Sequence, residues 1–184
     1  MRANVVKEVY MSIEREGIFK FAGQDVTIIG ADIQVGQQAP EFTAHAKDWS
    51  TVQALESTRG KVRILGSLPS LSTSVCDRET RRFNLEAAAL GDDVVIMMLS
   101  MDLPYTQRNW CGAAGVDKVI TLSDHMNAEF GEKYGVLIKE TRVFRRAIFV
   151  IDRSDKVVYA AYMPVLGDEP NYTEVLEVAQ SVLV

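Results

Sequence analysis

The chain has 184 residues, a length that predicts one domain with embellishments. Hydrophobic residues make up 47% and charged residues 24%, which is ordinary composition for a globular protein. Its formal net charge of −5, without any concentrated basic stretch, disfavours nucleic acid as a partner. No apolar run approaches the roughly 18–20 residues that cross a bilayer, so we expect a soluble protein without a membrane partner.

Residues 1–17 are predicted to form an N-terminal extension, and residues 18–184 the domain. Val6, Tyr10 and Ile13 have helical spacing, which is compatible with a short amphipathic helix and equally with a frayed extension. Charged residues between Arg2 and Glu16 interrupt this segment, so it lacks the apolar core of a secretion signal. We therefore expect a cytoplasmic protein.

The domain begins with a predicted β-hairpin, whose strands cover residues 18–21 and 26–29 around a turn-prone segment. Another short strand is predicted at residues 42–46, after Pro40. Strands then alternate with helices along the chain. The strands are predicted at 62–65, 94–99 and 119–122, the helices at 76–90, 105–114 and 128–134, a second hairpin at 147–151 and 157–162, and a last helix at 172–183. This order predicts an α/β fold with a central mixed sheet flanked by helices and an N-terminal β-hairpin.

Two cysteines, Cys76 and Cys111, are present. They are too few for a disulfide scaffold and too far apart for a CxxC redox pair. Cysteines are among the most buried residue types, so either could be a packing residue. In a reducing compartment, however, two thiols can also be reactive.

The segment from Pro69 to Cys76 connects a predicted strand to a predicted helix, so that Cys76 lies in the first helical turn. Unpaired backbone N–H groups and the helix dipole favour an anion there, and hence a thiolate. Reduction of a peroxide further requires a hydrogen-bond donor, a positive charge and shielding from water. Thr73 can supply the hydroxyl donor, and Pro69 can cover the thiolate without adding an N–H group.

Arg146, at the start of the strand predicted at 147–151, is the candidate for the positive charge, because a guanidinium stays charged even when partly buried. The adjacent Arg145 is predicted to point to the opposite face of the sheet, since side chains alternate along a strand.

Pro69, Thr73 and Cys76 fit the peroxiredoxin pattern Pro-x-x-x-Thr-x-x-Cys, and the chain resembles the thiol peroxidase subfamily of atypical two-cysteine peroxiredoxins. The resemblance covers nearly everything from Ile18 onward. At Leu68 and Ser72 the chain differs, because the subfamily often has Phe and Asp there. Further similar segments are Asp102-Leu103-Pro104-Tyr105, Trp110-Cys111-Gly112, Val119-Ile120-Thr121-Leu122-Ser123, Tyr134-Gly135-Val136 and Arg146-Ala147 leading to Val150-Ile151-Asp152.

The resemblance implies a thioredoxin-like fold and a peroxidase that needs no cofactor. Cys76 would be the peroxidatic cysteine, Cys111 the resolving cysteine, Thr73 the peroxide-binding residue and Arg146 the activating arginine. A hydroperoxide would be the substrate, thioredoxin the reductant, and the protein a homodimer. Because a disulfide requires Cα atoms within about 7 Å, the two segments that carry the cysteines are expected to unwind locally before they join.

The sequence fits three other functions less well. His45 and His125 are not spaced with the cysteines as a zinc site requires. A Cys–His hydrolase with His125 as base lacks an evident acid orienter or oxyanion motif. Gly60-Lys61 is not followed by the Ser or Thr of a phosphate loop.

Two further alternatives would use the same two cysteines. A non-enzymatic redox sensor, or binding module, would use the same disulfide as a switch, and the sequence leaves this alternative open. A thiol–disulfide oxidoreductase is disfavoured by the absence of CxxC.

Overall fold

The computed structural model describes residues 13–183, in which two β-sheets and four α-helices are found. The helices are α1 (Ser74–Leu90), α2 (Pro104–Ala114), α3 (Glu129–Lys133) and α4 (Tyr172–Ser181). The strands are β1 (Glu14–Phe21), β2 (Gln24–Ile29), β3 (Thr43–His45), β4 (Thr51–Gln53), β5 (Val62–Ser67), β6 (Val94–Ser100), β7 (Ile120–Ser123), β8 (Leu137–Ile138), β9 (Ala147–Ile151) and β10 (Val157–Tyr162). Within this part of the chain, no helix combines the length and the apolar character that a membrane span requires.

The larger sheet has seven strands in the order β10-β9-β5-β6-β7-β3-β4. Strands β5, β6 and β7 are parallel, and the outer strands pair antiparallel, which confirms the predicted mixed sheet. Ser67 at the end of β5 is in register with Leu99 of β6 and with Ala147 of β9. The loops after β5 and β6 and the residues before β9 therefore meet at one edge of the sheet.

Side chains along the central strands alternate between two apolar clusters, as the period of two requires. Ile64, Ile96 and Ile148 belong to the cluster that includes residues of α1 and α4. The residues that follow them in sequence, Leu65, Met97 and Phe149, belong to the cluster on the other face, with α3. The sheet is thus covered on both faces.

Helices α1 and α2 begin and end at residues suited to those positions. Thr73, with φ −88° and ψ 146°, is the N-cap of α1, and Pro104 is in the first turn of α2, where its missing N–H is not needed. Gly115 ends α2 in the left-handed region, with φ +67°, and its N–H bonds to the carbonyl of Cys111.

The N-terminal hairpin is longer than predicted. Strand β1 begins at Glu14, which pairs with Ile29, and a bulge lies between Glu16 and Phe19. Residues 14–17 therefore belong to the hairpin and not to the extension in which the sequence analysis placed them. The amphipathic helix considered for the extension falls almost entirely outside the described residues.

Candidate active site

Cys76 is in the first turn of α1 and is completely buried. The Nη2 group of Arg146, which immediately precedes β9, lies 3.3 Å from the Cys76 sulfur and donates to it. The same nitrogen donates to the carbonyl of Leu166 at 3.2 Å. Two residues that are far apart in sequence, and that were predicted to act together, are therefore in direct contact.

Glu79 is a member of this site that the sequence analysis did not identify. It lies one turn after Cys76, is fully buried, and forms an ion pair with Nη1 of Arg146. Its second oxygen, Oε1, has no hydrogen-bond partner among the described residues. Its position three residues after Cys76 could have indicated that it lies near the sulfur, because residues i and i+3 share a helix face.

The charges of this pair are set by burial and by mutual attraction. Burial raises the pKa of Glu79 from its ordinary 4.5 to about 7, although attraction to Arg146 and their hydrogen bond act in the opposite direction. Burial by itself lowers the pKa of Arg146, but Glu79 and Cys76 raise it above its ordinary value. The guanidinium therefore stays charged, and the Glu79 carboxyl is the group of the pair that gains or loses a proton near neutral pH.

The loop before α1 carries Pro69, which is buried, and Thr73, which is exposed. The Thr73 hydroxyl donates to the carbonyl of Ser70 at 3.0 Å. It makes no hydrogen bond that caps α1. In this conformation the hydroxyl oxygen can still accept a hydrogen bond. To donate to a peroxide, however, the hydroxyl must turn away from the Ser70 carbonyl.

Asp102, in the loop after β6, fixes the loop that carries Pro69 and Thr73. Its carboxylate accepts hydrogen bonds from the N–H of Leu71 at 2.8 Å and from the hydroxyls of Ser70 at 2.7 Å and Ser100 at 2.8 Å. Asp102 therefore links the loop before α1 to the start of α2, a role that its place in a similar motif did not reveal. Ser72, one of the two departures, is exposed and lies 2.7 Å from the Ser70 hydroxyl.

Cys111 is near the end of α2 and is 4% exposed. Its sulfur lies 3.5 Å from the hydroxyl of Thr121 on β7. An open surface depression of about 540 Å³ adjoins it, with Lys47 and Arg108 in the lining. Cys76 and Cys111 are both free thiols in this structure.

Arg145 points away from this site, as the alternation along the strand predicts. Its guanidinium stacks over the ring of Tyr162 at 4.1 Å, donates to the carbonyl of Gly135 and pairs with Asp32. Burial lowers the pKa of Arg145, and the ion pair with Asp32 opposes that effect. Arg146 is therefore the arginine that faces Cys76.

The two histidines form a separate aromatic cluster with Trp49. The rings of His45 and His125 are 5.6 Å apart, and Nδ1 of His125 lies 2.9 Å from the hydroxyl of Ser123. Burial and the neighbouring His45 lower the pKa of His125. Among residues 13–183, neither histidine hydrogen-bonds to a cysteine, and no group of three His, Cys, Asp or Glu residues could hold a metal ion.

Comparison with known proteins gives concordant results. The sequence model of the Redoxin family matches residues 34–176. A thiol peroxidase of Bacillus subtilis (strain 168) is 47% identical over 163 residues, which are 89% of this chain and 96% of the relative. A thiol peroxidase of Oceanobacillus iheyensis is 47% identical over 156 residues, which are 85% of this chain and 94% of the relative.

Solved structures agree on the fold. The crystal structure of a peroxiredoxin-like protein from Aquifex aeolicus has a TM-score of 0.80 and 35% identity, and the match covers 88% of this chain and 94% of the other. A thiol peroxidase from Chromobacterium violaceum has a TM-score of 0.77, and the match covers 89% of this chain and 95% of the other. Because the two sequences are only 18% identical, this likeness supports the fold alone. The predicted thioredoxin-like α/β fold is confirmed.

Proposed function

The chain belongs to the Redoxin family and is a thiol-specific peroxidase of the peroxiredoxin type, and from that premise we propose that Cys76 is its peroxidatic cysteine and Cys111 its resolving cysteine. The observation that carries the first assignment is the contact of 3.3 Å between the Arg146 guanidinium and the buried Cys76 sulfur. A guanidinium beside a cysteine sulfur stabilises negative charge on that sulfur, and the thiolate is the nucleophile. The comparisons also favour an enzyme over a redox sensor.

In the first step, the Cys76 thiolate attacks one oxygen of the hydroperoxide. The O–O bond breaks, the sulfur takes up a hydroxyl oxygen to become a sulfenic acid, and the second oxygen leaves as water or an alcohol after it gains a proton. Arg146 stabilises negative charge on the sulfur and on the leaving oxygen. Glu79 holds the guanidinium in the orientation that faces the sulfur.

Thr73 and Pro69 complete the proposed site from the loop before α1. Thr73 donates a hydrogen bond from its hydroxyl to the bound peroxide once the hydroxyl has turned from the Ser70 carbonyl. Pro69 is buried and offers no N–H group to compete for the thiolate. The Asp102 hydrogen bonds keep this loop in place during the reaction.

In the second step, the sulfur of Cys111 attacks the sulfenic acid, water leaves, and a disulfide joins α1 to α2. Thioredoxin then reduces the disulfide by thiol–disulfide exchange, which restores both thiols. We further assign the protein to the cytoplasm and to a homodimer. Sedimentation of the reduced and oxidised protein tests the dimer, and NADPH consumption with thioredoxin and its reductase tests the reductant.

The Cys76→Ser variant tests the peroxidatic assignment. A hydroxyl cannot replace the thiolate as a nucleophile, so we expect no peroxide turnover while the circular dichroism spectrum stays that of the parent. Retained turnover in this variant would refute the assignment.

The Cys111→Ser variant tests the resolving assignment and serves as the matched control. It should still react with one equivalent of peroxide, because Cys76 and its partners are unchanged. Without an internal thiol, the sulfenic acid should persist and be overoxidised to the sulfinic acid by excess peroxide. Mass spectrometry after one and ten equivalents measures this, and full thioredoxin-dependent turnover would show that Cys111 is only a packing residue.

A further inference from the structure

Helices α1 and α2 are joined by a contact between the two residues that adjoin the cysteines. Asp77 directly follows Cys76, and Trp110 directly precedes Cys111. The indole Nε1 of Trp110 donates a hydrogen bond of 3.1 Å to Oδ1 of Asp77. A hydrogen bond that does not involve sulfur therefore connects the two helices that the proposed disulfide would join.

Arg81, one turn further along α1, strengthens this contact in three ways. Its Nε donates to Oδ2 of Asp77 at 2.9 Å, and its Nη1 donates to the carbonyl of Ala114, the last residue of α2, at 2.8 Å. Its guanidinium also lies over the Trp110 ring, 5.7 Å from the centroid. We call Asp77, Arg81 and Trp110 the interhelical latch.

The two sulfurs are engaged elsewhere while the latch is closed. Cys76 faces Arg146 and Cys111 faces Thr121, and both are buried. A disulfide requires the sulfurs to lie about 2.05 Å apart, and here they are unbonded and each faces a different partner, so at least one of them must leave its partner. Cys76 is in the first turn of α1, and Asp77 closes that turn through its N–H bond of 2.9 Å to the carbonyl of Thr73. If this turn unwinds, Asp77 moves with it and its bond to Trp110 is lost.

We propose that Asp77, Arg81 and Trp110 are positioning residues that keep α1 and α2 in the peroxide-reactive arrangement and must separate before Cys76 and Cys111 join. The proposal rests on the proposed roles of these two cysteines. The latch sets how the sulfenic acid divides between two reactions. One is condensation with Cys111, which releases water and gives the disulfide; the other is reaction with a second hydroperoxide, which gives the sulfinic acid and water or an alcohol.

Two variants weaken the latch without altering a residue of the reacting site. Trp110→Phe removes the Nε1 donor and keeps an aromatic ring, while Arg81→Met keeps the aliphatic stem and helix propensity but removes the charged head. Glu86→Gln is the matched control, because it breaks the partly exposed ion pair of Glu86 with Arg82 on the same helix and alters no contact with α2 or a cysteine. Circular dichroism and thermal unfolding verify that each variant is folded.

The experiment mixes each reduced protein with hydroperoxide, quenches with acid at successive times, alkylates, and quantifies disulfide and sulfinic acid by mass spectrometry. We expect both latch variants to form the disulfide roughly three- to tenfold faster than the parent, the range for a partly exposed, charge-assisted contact. The sulfinic fraction should fall by a similar factor, while the rate of the first oxidation stays that of the parent and of Glu86→Gln.

Unchanged or slower disulfide formation in both variants, with normal formation in the parent, would overturn the latch alone. Slower formation would mean that these contacts guide the cysteines together. A parent protein that never forms a disulfide between Cys76 and Cys111 within one chain would instead overturn the proposed resolving role, and the latch with it.

Discussion

Substitution of Glu79 by Gln should change the pH dependence of stability, because the carboxyl is buried against a permanently charged guanidinium. The substitution keeps the shape of the side chain and an oxygen that accepts from Arg146, but it removes the titratable group. We place it in the Cys76→Ser background, which removes the thiol as the second partner of the guanidinium. The comparison is then between two proteins that differ only at residue 79.

The sign follows from the raised pKa. Between about pH 4.5 and about pH 7, folded protein retains a proton on Glu79 that the unfolded chain has released. The free energy of unfolding of the parent therefore falls as the pH rises through this window, and it levels off above about 7. Each pH unit corresponds to about 1.4 kcal/mol, so the full fall over this window is at most about 3.5 kcal/mol. Glu79→Gln lacks this fall, and its stability relative to the parent should rise by that amount.

Urea unfolding at pH 5, 6, 7 and 8, followed by circular dichroism, measures the difference. The buried Asp124, whose pKa burial also raises to about 7, titrates in both proteins and cancels from the comparison. Glu86→Gln, at a partly exposed position of the same helix, is the control and should show a constant difference. A constant difference for Glu79→Gln as well would refute the reasoning, since it would mean that attraction to Arg146 keeps the carboxylate ionised throughout.

Three further predictions concern single residues. Arg146→Lys keeps a charge but loses the planar fork that reaches Cys76 and Glu79, so stopped-flow oxidation should slow by roughly tenfold; an unchanged rate would remove Arg146 from the reaction. Thr73→Val should slow the same step by a comparable factor, because one hydrogen-bond donor is lost, yet leave thermal unfolding nearly unchanged, since the hydroxyl of this N-cap residue makes no hydrogen bond that caps α1; a fall in melting temperature alone would make Thr73 structural. Phe130→Ala should lower the free energy of unfolding by about 3–5 kcal/mol, whereas Leu85→Ala at an exposed position should have little effect, and equal losses would contradict the assigned core.

The sequence predicts the long elements of the fold well and misses the shortest ones. Strands such as β6 and β9 carry continuous apolar runs, and their predicted and observed bounds differ by at most one residue. Strands β4 and β8 have three and two residues, too few to show any alternation, and both went unpredicted. Glu14 to Glu16 were assigned to the extension that precedes the predicted hairpin, although a strand that pairs on one side only can be polar.

For the site, the sequence predicted residues whose chemistry is distinctive and not those that act through tertiary contacts. Cys76 and Arg146 were predicted as partners and are found in contact. Glu79 was missed because a glutamate in a charged helix usually faces solvent, and only the position of Arg146 makes its burial favourable. The link between Asp77 and Trp110 depends on how two helices pack, which local sequence does not encode.

The smaller sheet has a consequence for how the protein is made on the ribosome. Its two long strands, β1 and β2, form an adjacent hairpin, but the third strand is β8, so that Ile29 pairs with Leu137. An isolated hairpin is marginally stable in water, and translation adds about 5–20 residues per second. The apolar side of the hairpin, with Val26 and Ile28, thus waits on the order of ten seconds for its partner to emerge. During that time the nascent chain offers a surface that a chaperone can recognise.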